Sequence, residues 1–347
     1  GVSSAMSMAE ACRRCPQAVV LPVRHGLYSR VSAQVMSVLA EVTPVLEKVS
    51  IDEAFLDVTG ARRRMGPPVT IGRWIRAEVR RRVGVPASVG IASTKFVAKL
   101  ASSHAKPDGL LLIPAHATQD FLNLLPVGAL WGVGARTQKV LARWGINDVR
   151  ALADADARHL EKILGRAAGR HLHELSHGID PRRVEPVREE KSVGTETTFF
   201  DTVADREHAR RVLLDQTHQC AARLRAGDLR CRVVVLKARG ADFTTVTRSR
   251  TLAVPTDLAR DIWEIVAALF SALPTPAGGF RLLGVRVEGL LRPDDGVQLL
   301  LDEDSRRGAP ERVADAVRRR WGNGALAPAS LLRGEGGGTR RPRGGAG

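Results

Sequence analysis

Two adjacent acidic residues, Asp52 and Glu53, lie between two short apolar runs at 45–51 and 54–58. Both runs are rich in Val, Ile, Leu and Phe, so each predicts a β-strand. Neighbouring side chains of a regular strand point to opposite faces, and the two acids can therefore share a ligand only if the chain turns here. We expect a tight hairpin that carries both carboxylates to the end of a sheet, as a site for a hard divalent cation such as Mg²⁺. A solvated turn that binds nothing is the alternative.

The charge of the chain indicates a polyanionic partner. The 347 residues include 53 Lys and Arg against 37 Asp and Glu, which gives a formal net charge of +16. Nucleic acid is the partner that this balance favours. Aromatic residues make up only 4% of the sequence, so stacking on many unpaired bases is not expected as the main binding mode. Contacts to the phosphates of a duplex fit the composition better.

Composition also argues against other classes of protein. No uninterrupted apolar run approaches the ~20 residues that cross a bilayer, and no signal-peptide pattern opens the sequence. We therefore expect a cytoplasmic protein with no membrane partner. Four cysteines are too few for a disulfide scaffold in a chain of this length. Cys12 and Cys15 form a single C-x-x-C, for which a zinc or redox role and a pair of unmodified thiols both remain open.

The pattern around the acid pair predicts an α+β unit. Apolar residues at every fourth position predict a helix over 27–42, and a helix period also runs over 71–83. Further predicted elements are a strand at 19–21, a strand at 87–92, a helix at 94–103 and a strand at 110–113. This order of elements is typical of a split βαβ sheet with helices packed on one face.

Residues 117–181 predict an all-helical segment with a core of leucines. Inside it, Gly132 and Gly134 form a Gly-x-Gly turn that opens a helix. Such a turn lets the backbone approach a phosphate closely, and the free N–H groups at the helix start favour an anion. A simple connection between two helices explains the same pattern.

A second strand–helix–strand–strand–helix–strand set follows a charged stretch with the composition of a linker. Its predicted elements cover 192–200, 206–225, 231–238, 244–252, 258–273 and 281–290. Hydroxyl and basic side chains on and beside its strands suit phosphate oxygens, although edge strands carry such residues without a ligand. The candidates for DNA contact are Lys191, Thr195, Thr197, Arg248 and Arg250. A Gly- and Arg-rich tail begins near residue 292, interrupted by a predicted helix at 311–321.

Several motifs, in order and at characteristic spacings, accompany the acid pair. They are Ser50-Ile51-Asp52-Glu53-Ala54-Phe55-Leu56-Asp57-Val58-Thr59, Ser88-Val89-Gly90-Ile91-Ala92, Lys95, Ala98-Lys99 and Lys106-Pro107-Asp108-Gly109. In these motifs the chain resembles the Y-family DNA polymerases, and among them the bacterial DNA polymerase IV type. The resemblance runs from Gly1 to about residue 291 and weakens in the tail.

The resemblance implies an α+β multidomain fold. It comprises a palm with a ferredoxin-like split βαβ sheet, an all-helical thumb with a helix-hairpin-helix, and a second split βαβ unit, the little finger. The implied division is 1–16 remnant of the fingers, 17–116 catalytic palm, 117–181 thumb, 182–190 linker, 191–292 little finger and 293–347 partly disordered tail. The helix-hairpin-helix is the thumb element that holds the DNA backbone in this family, and its Gly-x-Gly turn would contain Gly132 and Gly134.

The resemblance also implies roles for single residues. Asp52 and Glu53 would be the catalytic carboxylates and the ligands of two Mg²⁺ ions, and Lys106 would meet the incoming triphosphate as a point charge. The expected partners are primer–template DNA and deoxynucleoside triphosphates, bound by a monomer. Gln298-Leu299-Leu300-Leu301 resembles a sliding-clamp-binding peptide without its usual aromatic residue, and an ordinary strand explains it as well.

The sequence departs from the family in one respect. The first metal-ligating aspartate of the family lies on an N-terminal strand, for which no counterpart precedes Gly1. We expect an N-terminally truncated chain that is inactive as written and regains primer extension when the missing segment is supplied.

The favoured function is low-fidelity, template-directed DNA synthesis past damaged bases. The alternative is a non-catalytic DNA-binding or clamp-recruiting relative, which would have no use for two adjacent acids facing DNA phosphates. A metal-dependent nuclease uses similar carboxylates, but the motifs over 88–109 do not support it.

Overall fold

A computed structural model of the chain describes residues 1–187, 189–292, 295, 308–322 and 324–331. The chain divides into two compact units, which we call unit 1 (1–188) and unit 2 (189–347). No helix in the described parts is long and apolar enough to cross a bilayer. The predicted clamp-binding peptide at 298–301 lies outside the described residues.

Unit 1 begins with the α+β part that contains the acid pair. Its strands are β1 (Leu46–Lys48), β2 (Ala54–Leu56), β3 (Val89–Ile91) and β4 (Leu110–Leu112). Its helices are α1 (Met8–Arg14), α2 (His25–Ala40), α3 (Arg62–Met65), α4 (Pro68–Val83) and α5 (Lys95–His104). The predicted helices over 27–42, 71–83 and 94–103 are confirmed, because their apolar periods match the faces that are buried.

The strands of this part form two separate ladders. β1 and β2 pair antiparallel, whereas β3 and β4 pair parallel, so the described residues do not join into the one split βαβ sheet that we predicted. A shared apolar core connects the parts instead: Val38 of α2 and Ile71, Ile75 and Val79 of α4 pack with the strand residues. α4 ends at Gly84, whose φ of +77° is a left-handed conformation that favours glycine.

The predicted strand at 19–21 is wrong. Residues 17–24 form no regular element, and the side chains of Val19 and Leu21 are 84% and 75% exposed. An apolar run becomes a strand only when a neighbour completes its backbone hydrogen bonds, and no described strand lies beside this one.

The rest of unit 1 is helical, as predicted for 117–181. Its leucines meet in one core that includes Leu122, Leu141, Leu152, Leu160 and Leu175, and this core also takes in Phe96 and Val97 at the start of α5. The helices are α6 (Thr118–Asn123), α7 (Ala135–Ala142), α8 (Val149–Asp154), α9 (Ala157–Leu164) and α10 (Arg166–Ser176).

Unit 2 contains a four-stranded antiparallel sheet in the order β5-β8-β6-β7. The strands are β5 (Ser192–Val203), β6 (Cys231–Gly240), β7 (Thr245–Thr256) and β8 (Phe280–Glu288). Helices α11 (Arg206–Ala226) and α12 (Ala259–Ser271) pack on one face of this sheet and bury its alternating apolar residues. The second predicted strand–helix–strand–strand–helix–strand set is therefore confirmed.

The α-helix α13 (Ala309–Trp321) is the helix predicted at 311–321. It is joined to α11 through Arg225, whose guanidinium contacts Asp315 at 2.6 Å and Glu311 at 2.5 Å. The side chain of Arg225 is only 6% exposed, so this ion pair is largely removed from water.

Candidate active site and nucleic-acid surface

The acid pair lies on a hairpin turn. The N–H groups of Val49 and Ser50 both donate to the carbonyl oxygen of Glu53, at 3.0 and 3.2 Å, and so close the connection between β1 and β2. Asp52 and Glu53 are both exposed on this turn. The predicted bend is confirmed, but both strands are only three residues long: residues 49–51 turn instead of continuing β1, and β2 ends at Leu56.

A local hydrogen bond orients Asp52. The hydroxyl of Ser50 donates to Oδ1 of Asp52 at 2.5 Å and accepts from the Asp52 N–H at 3.2 Å. Short hydroxyl–backbone contacts of this kind stabilise turns. The sequence Ser-x-Asp therefore fixes the direction of the first carboxylate without help from distant residues.

A lysine on α5 orients Glu53. The Nζ of Lys99 donates to Oε1 and Oε2 of Glu53 at 2.7 and 2.8 Å. One helical turn earlier, Lys95 pairs with Glu47 of β1 at 2.5 Å. The hairpin thus meets two ammonium groups on one face of α5, as expected for an i, i+4 spacing.

Gly90 allows α5 to come this close. A Cβ at position 90 would lie 2.1 Å from the carbonyl oxygen of Ala98 and 2.2 Å from the N of Ser102, and any side chain would push α5 away from β3. The side chain of Thr94 caps the start of the helix by accepting from the N–H of Val97.

Two other acidic residues near the motifs have local structural contacts. Asp57 accepts the N–H of Thr59 at 2.9 Å, and hydrogen bonds from Thr59 hold the pKa of Asp57 below its usual range. Asp108 pairs with Arg76 and Arg80 of α4. Lys106, the predicted triphosphate contact, is exposed in the turn between α5 and β4.

The donor set of the turn fits a hard divalent metal. In the described ranges no group of three or more His, Cys, Asp or Glu side chains is placed to hold a metal ion, so a ready-made protein cage is not present there. Mg²⁺ is commonly bound by one or two carboxylates together with water and substrate phosphates. Asp52 and Glu53, adjacent and exposed, match that arrangement.

The predicted Gly-x-Gly turn precedes α7. Gly132 has φ +93°, a conformation that a side chain would strain, and Gly134 is the N-cap of α7 without a capping side chain. The N–H groups at the start of α7 therefore have no side-chain cap to bond them. Phosphate binding by this turn stays a prediction.

The predicted DNA contacts of unit 2 lie on or beside its edge strands. Thr195 and Thr197 contact Gln219 and Gln216 of α11, at 3.5 and 3.0 Å. Arg248 and Arg250 lie opposite Leu236 and Val234 in the β6–β7 register. Because directly paired residues share a face, all four lie on the face of the sheet that carries the helices. Lys191 is exposed just before β5.

The opposite face carries basic residues that our sequence reasoning missed. We call this the outer face, and define it by Lys237, Arg239, Arg286, Thr245, Thr247 and Ser249, which the strand registers place together. Lys237 and Arg286 pair with Glu196 and Glu288 at 2.7 and 2.6 Å. The signal was present in the sequence, since Lys237 and Arg239 alternate with the core residues Leu236 and Ala238.

The comparisons with known proteins agree with this architecture. Residues 1–103 match the impB/mucB/samB family, and residues 190–301 match the impB/mucB/samB family C-terminal domain. The DNA polymerase IV of Desulfatibacillum aliphaticivorans is 37% identical over 336 residues, which are 96% of this chain and 85% of that protein. The DNA polymerase IV of Streptomyces coelicolor is 42% identical over 292 residues, which are 84% of this chain and 61% of that protein.

Two solved structures show the same fold. A Y-family DNA polymerase chimera of Dbh and Dpo4 superposes with a TM-score of 0.71 at 24% identity, covering 84% of both chains. DinB from Sulfolobus solfataricus superposes with a TM-score of 0.55 at 24% identity, covering 83% of this chain and 84% of that one. The fold is that of the Y-family polymerases. The chain belongs to this family, as a member of its bacterial DNA polymerase IV type.

Proposed function

We propose that Asp52 and Glu53 are the metal-binding carboxylates of this chain, in a reaction that adds nucleotides to the 3′ end of a primer. As a DNA polymerase IV relative, the chain is a DNA-directed DNA polymerase of the translesion type, and its family depends on divalent metal ions. The observation that carries the assignment is the turn itself, which presents two adjacent carboxylates to solvent beside the ammonium of Lys99.

The residues of the turn would act by positioning the metal ions. Nucleotidyl transfer needs the primer 3′ oxygen, the α-phosphorus and the leaving pyrophosphate in line, with the developing charge neutralised. When bound, Mg²⁺ ions would supply that neutralisation and would favour deprotonation of the 3′-hydroxyl. Asp52, held by Ser50, and Glu53, held by Lys99, would fix where these cations sit. Lys106 would place its positive charge against the triphosphate.

DNA would be held through its phosphates. In unit 1, Gly132 and Gly134 would bring the backbone N–H groups at the start of α7 to one strand. In unit 2, the cations and hydroxyls of the outer face suit a duplex backbone, and the edge-strand residues Arg248 and Arg250 would add to them.

The assignment is tested by primer extension in the full-length gene product. Asp52→Asn and Glu53→Gln keep the size of each side chain and remove its charge, so both should abolish extension at any Mg²⁺ or Mn²⁺ concentration. Asp57→Asn is the matched control, because Asp57 is also exposed beside the hairpin and its carboxylate accepts the N–H of Thr59 in the turn that follows β2. Extension that survives both acid substitutions would overturn the assignment.

Duplex binding without metal, measured together with primer extension, separates the polymerase from a non-catalytic DNA-binding relative. Replacing Asp52 and Glu53 together by Ala removes two negative charges near the phosphates, so duplex affinity without metal should stay equal or rise. In a polymerase the same variant loses extension. A non-catalytic DNA-binding protein would lose no activity through this substitution.

A further inference from the structure

Trp131 contacts three of the segments that surround the acidic turn. It directly precedes Gly132, and its side chain is 39% exposed. Its ring centroid lies 6.4 Å from that of Phe55, which is two residues past Glu53 in β2, and the two rings are stacked at an interplanar angle of 29°. Such a contact fixes the separation between the Gly-x-Gly turn and the hairpin.

The same indole ring holds the lysine that bonds Glu53. The Nζ of Lys99 lies 5.3 Å from the ring centroid of Trp131 while it donates to both oxygens of Glu53. A cation at this distance from an aromatic face is attracted to it. The ammonium of Lys99 is therefore located by two partners, the carboxylate of Glu53 and the indole ring of Trp131.

A second cation, the guanidinium of Arg182, lies over the ring of Trp131 and is held by Asp180. The guanidinium carbon of Arg182 lies 4.9 Å from the ring centroid. Asp180 fixes Arg182 through contacts of 2.6 and 2.9 Å, and the buried carboxylate of Asp180 also accepts the N–H of Phe96 at 3.1 Å. Phe96 belongs to the first turn of α5, so the Arg182 contact and the Lys99 contact share one helix as their support.

We infer that Trp131 is a positioning residue for the acidic turn: it locates Lys99, and through Lys99 the carboxylate of Glu53, and it couples the Gly132–Gly134 turn to the hairpin. The inference rests on the proposed function of Glu53. Loss of the indole would leave the lysine free to leave the carboxylate, and a misplaced carboxylate slows the chemical step more than it weakens substrate binding.

The kinetic test uses three variants of the full-length gene product. Trp131→Met keeps an apolar side chain but removes the aromatic face, and should lower kcat for single-nucleotide insertion by about 10- to 100-fold with KM for the nucleotide and duplex affinity unchanged. Trp131→Phe keeps a ring and should recover most of the rate. Trp144→Met is the matched control, since Trp144 is also partly exposed in unit 1 but packs on His159. It should leave kcat unchanged.

A measurement without metal or DNA checks the contact itself. In a double-mutant cycle on the unfolding of unit 1, Trp131→Met and Lys99→Met should be non-additive, because each removes the same interaction. Trp144→Met and Lys99→Met should be additive. Additivity of the first pair would show that Lys99 does not depend on the indole, and it would overturn the inference.

The outcomes separate the two proposals. If Glu53→Gln abolishes extension while Trp131→Met extends primers at the normal rate, the role of Trp131 is wrong and the function of Glu53 stands. If Glu53→Gln retains extension, the proposed metal-binding role of Glu53 falls, and the role of Trp131 falls with it. A loss of kcat in Trp131→Met that Trp131→Phe restores supports the inference.

Discussion

Asp180 accepts hydrogen bonds from both Arg182 and the backbone N–H of Phe96, and its side chain is fully buried. Burial alone would raise the pKa of Asp180, but the hydrogen bonds and charge of Arg182 and the Phe96 N–H outweigh it, so the pKa lies below its ordinary value. This carboxylate connects the end of the helical part of unit 1 to α5.

Asp180→Ala should destabilise unit 1 by about 1–3 kcal/mol, because it leaves the Phe96 N–H without its acceptor. Asp180→Asn, which keeps an acceptor, should cost less. Since the folded pKa is lowered, the carboxylate contributes its full stability above the unfolded pKa of about 3.9, and that stability is lost as pH falls through the folded value. Urea unfolding of the wild type and Asp180→Asn should therefore differ at neutral pH and converge in acid. Asp154→Asn, at an exposed position of α8, should show no such convergence.

Glu311→Ala should weaken the attachment of α13 to unit 2. Its carboxylate bonds Arg225, whose side chain is largely buried, and also accepts the N–H of Ala259 at 3.0 Å. The cost should stay below the about 3–5 kcal/mol of an unpaired buried charge, because Asp315 still pairs with Arg225 after Glu311 is removed. Limited proteolysis after α13 and a thermal melt of unit 2 measure the effect. Glu264→Ala, at an exposed position of α12, is the control, and equal behaviour of the two variants would contradict the role of Arg225.

His218 should make the stability of unit 2 fall as pH drops below about 6.5. It lines a cavity of about 270 Å³ together with Arg225, Glu311 and Arg318. Burial lowers its pKa, Arg318 and Arg225 lower it further, and Glu311 and Asp215 oppose the shift. The unfolded chain therefore takes up a proton that the folded chain does not, and stability present above pH 6.5 is lost as pH falls through the folded pKa.

Substitution of this histidine isolates its contribution. His218→Gln should flatten the loss of stability between about pH 7.5 and pH 5.5, a range that brackets the ordinary histidine pKa. Urea midpoints at several pH values provide the measurement. His208→Gln, at an exposed position of the same helix, should leave the slope as it is in the wild type. A wild-type slope in His218→Gln would contradict the prediction.

Lys237→Gln and Arg286→Gln should weaken duplex binding and reduce its salt dependence. Each phosphate contact contributes a slope of about −0.9 to the plot of log affinity against log salt. Glu196→Gln and Glu288→Gln remove acids from beside these cations and should raise affinity. Arg260→Gln, on α12 at the helix-covered side, is the charge-matched control. If only Arg248 and Arg250 variants change the slope, the edge strands hold the DNA and the outer face does not.

Local sequence patterns predicted most of the elements. Helices α2, α4, α5 and α13 follow from apolar residues at a period of 3.6, and the strands of unit 2 follow from β-branched runs between turn residues. The hairpin follows from alternation: only a turn could bring Asp52 and Glu53 to one end of a sheet. These predictions needed no knowledge of distant contacts.

Contacts between distant segments could not be predicted in this way. The bond of Lys99 to Glu53 depends on how closely α5 approaches the hairpin, which the spacing of residues within α5 does not determine. The two ladders β1–β2 and β3–β4 are separate because of which strands pair through backbone hydrogen bonds, and the pattern within each strand does not determine that pairing. The role of Trp131 also cannot be predicted from its own segment, because its partners Phe55, Lys99 and Arg182 lie far away along the chain.

The absence of a side chain at Gly90 affects the positions of the two lysine ammonium groups of α5. The backbone of α5 lies directly against Gly90 of β3, and the distance between this helix and the strand determines how far its lysines reach toward the hairpin. Any larger residue would lift both ammonium groups from their acids at once. A position with no charge and no polar side chain of its own thus determines the electrostatic field around the acidic turn.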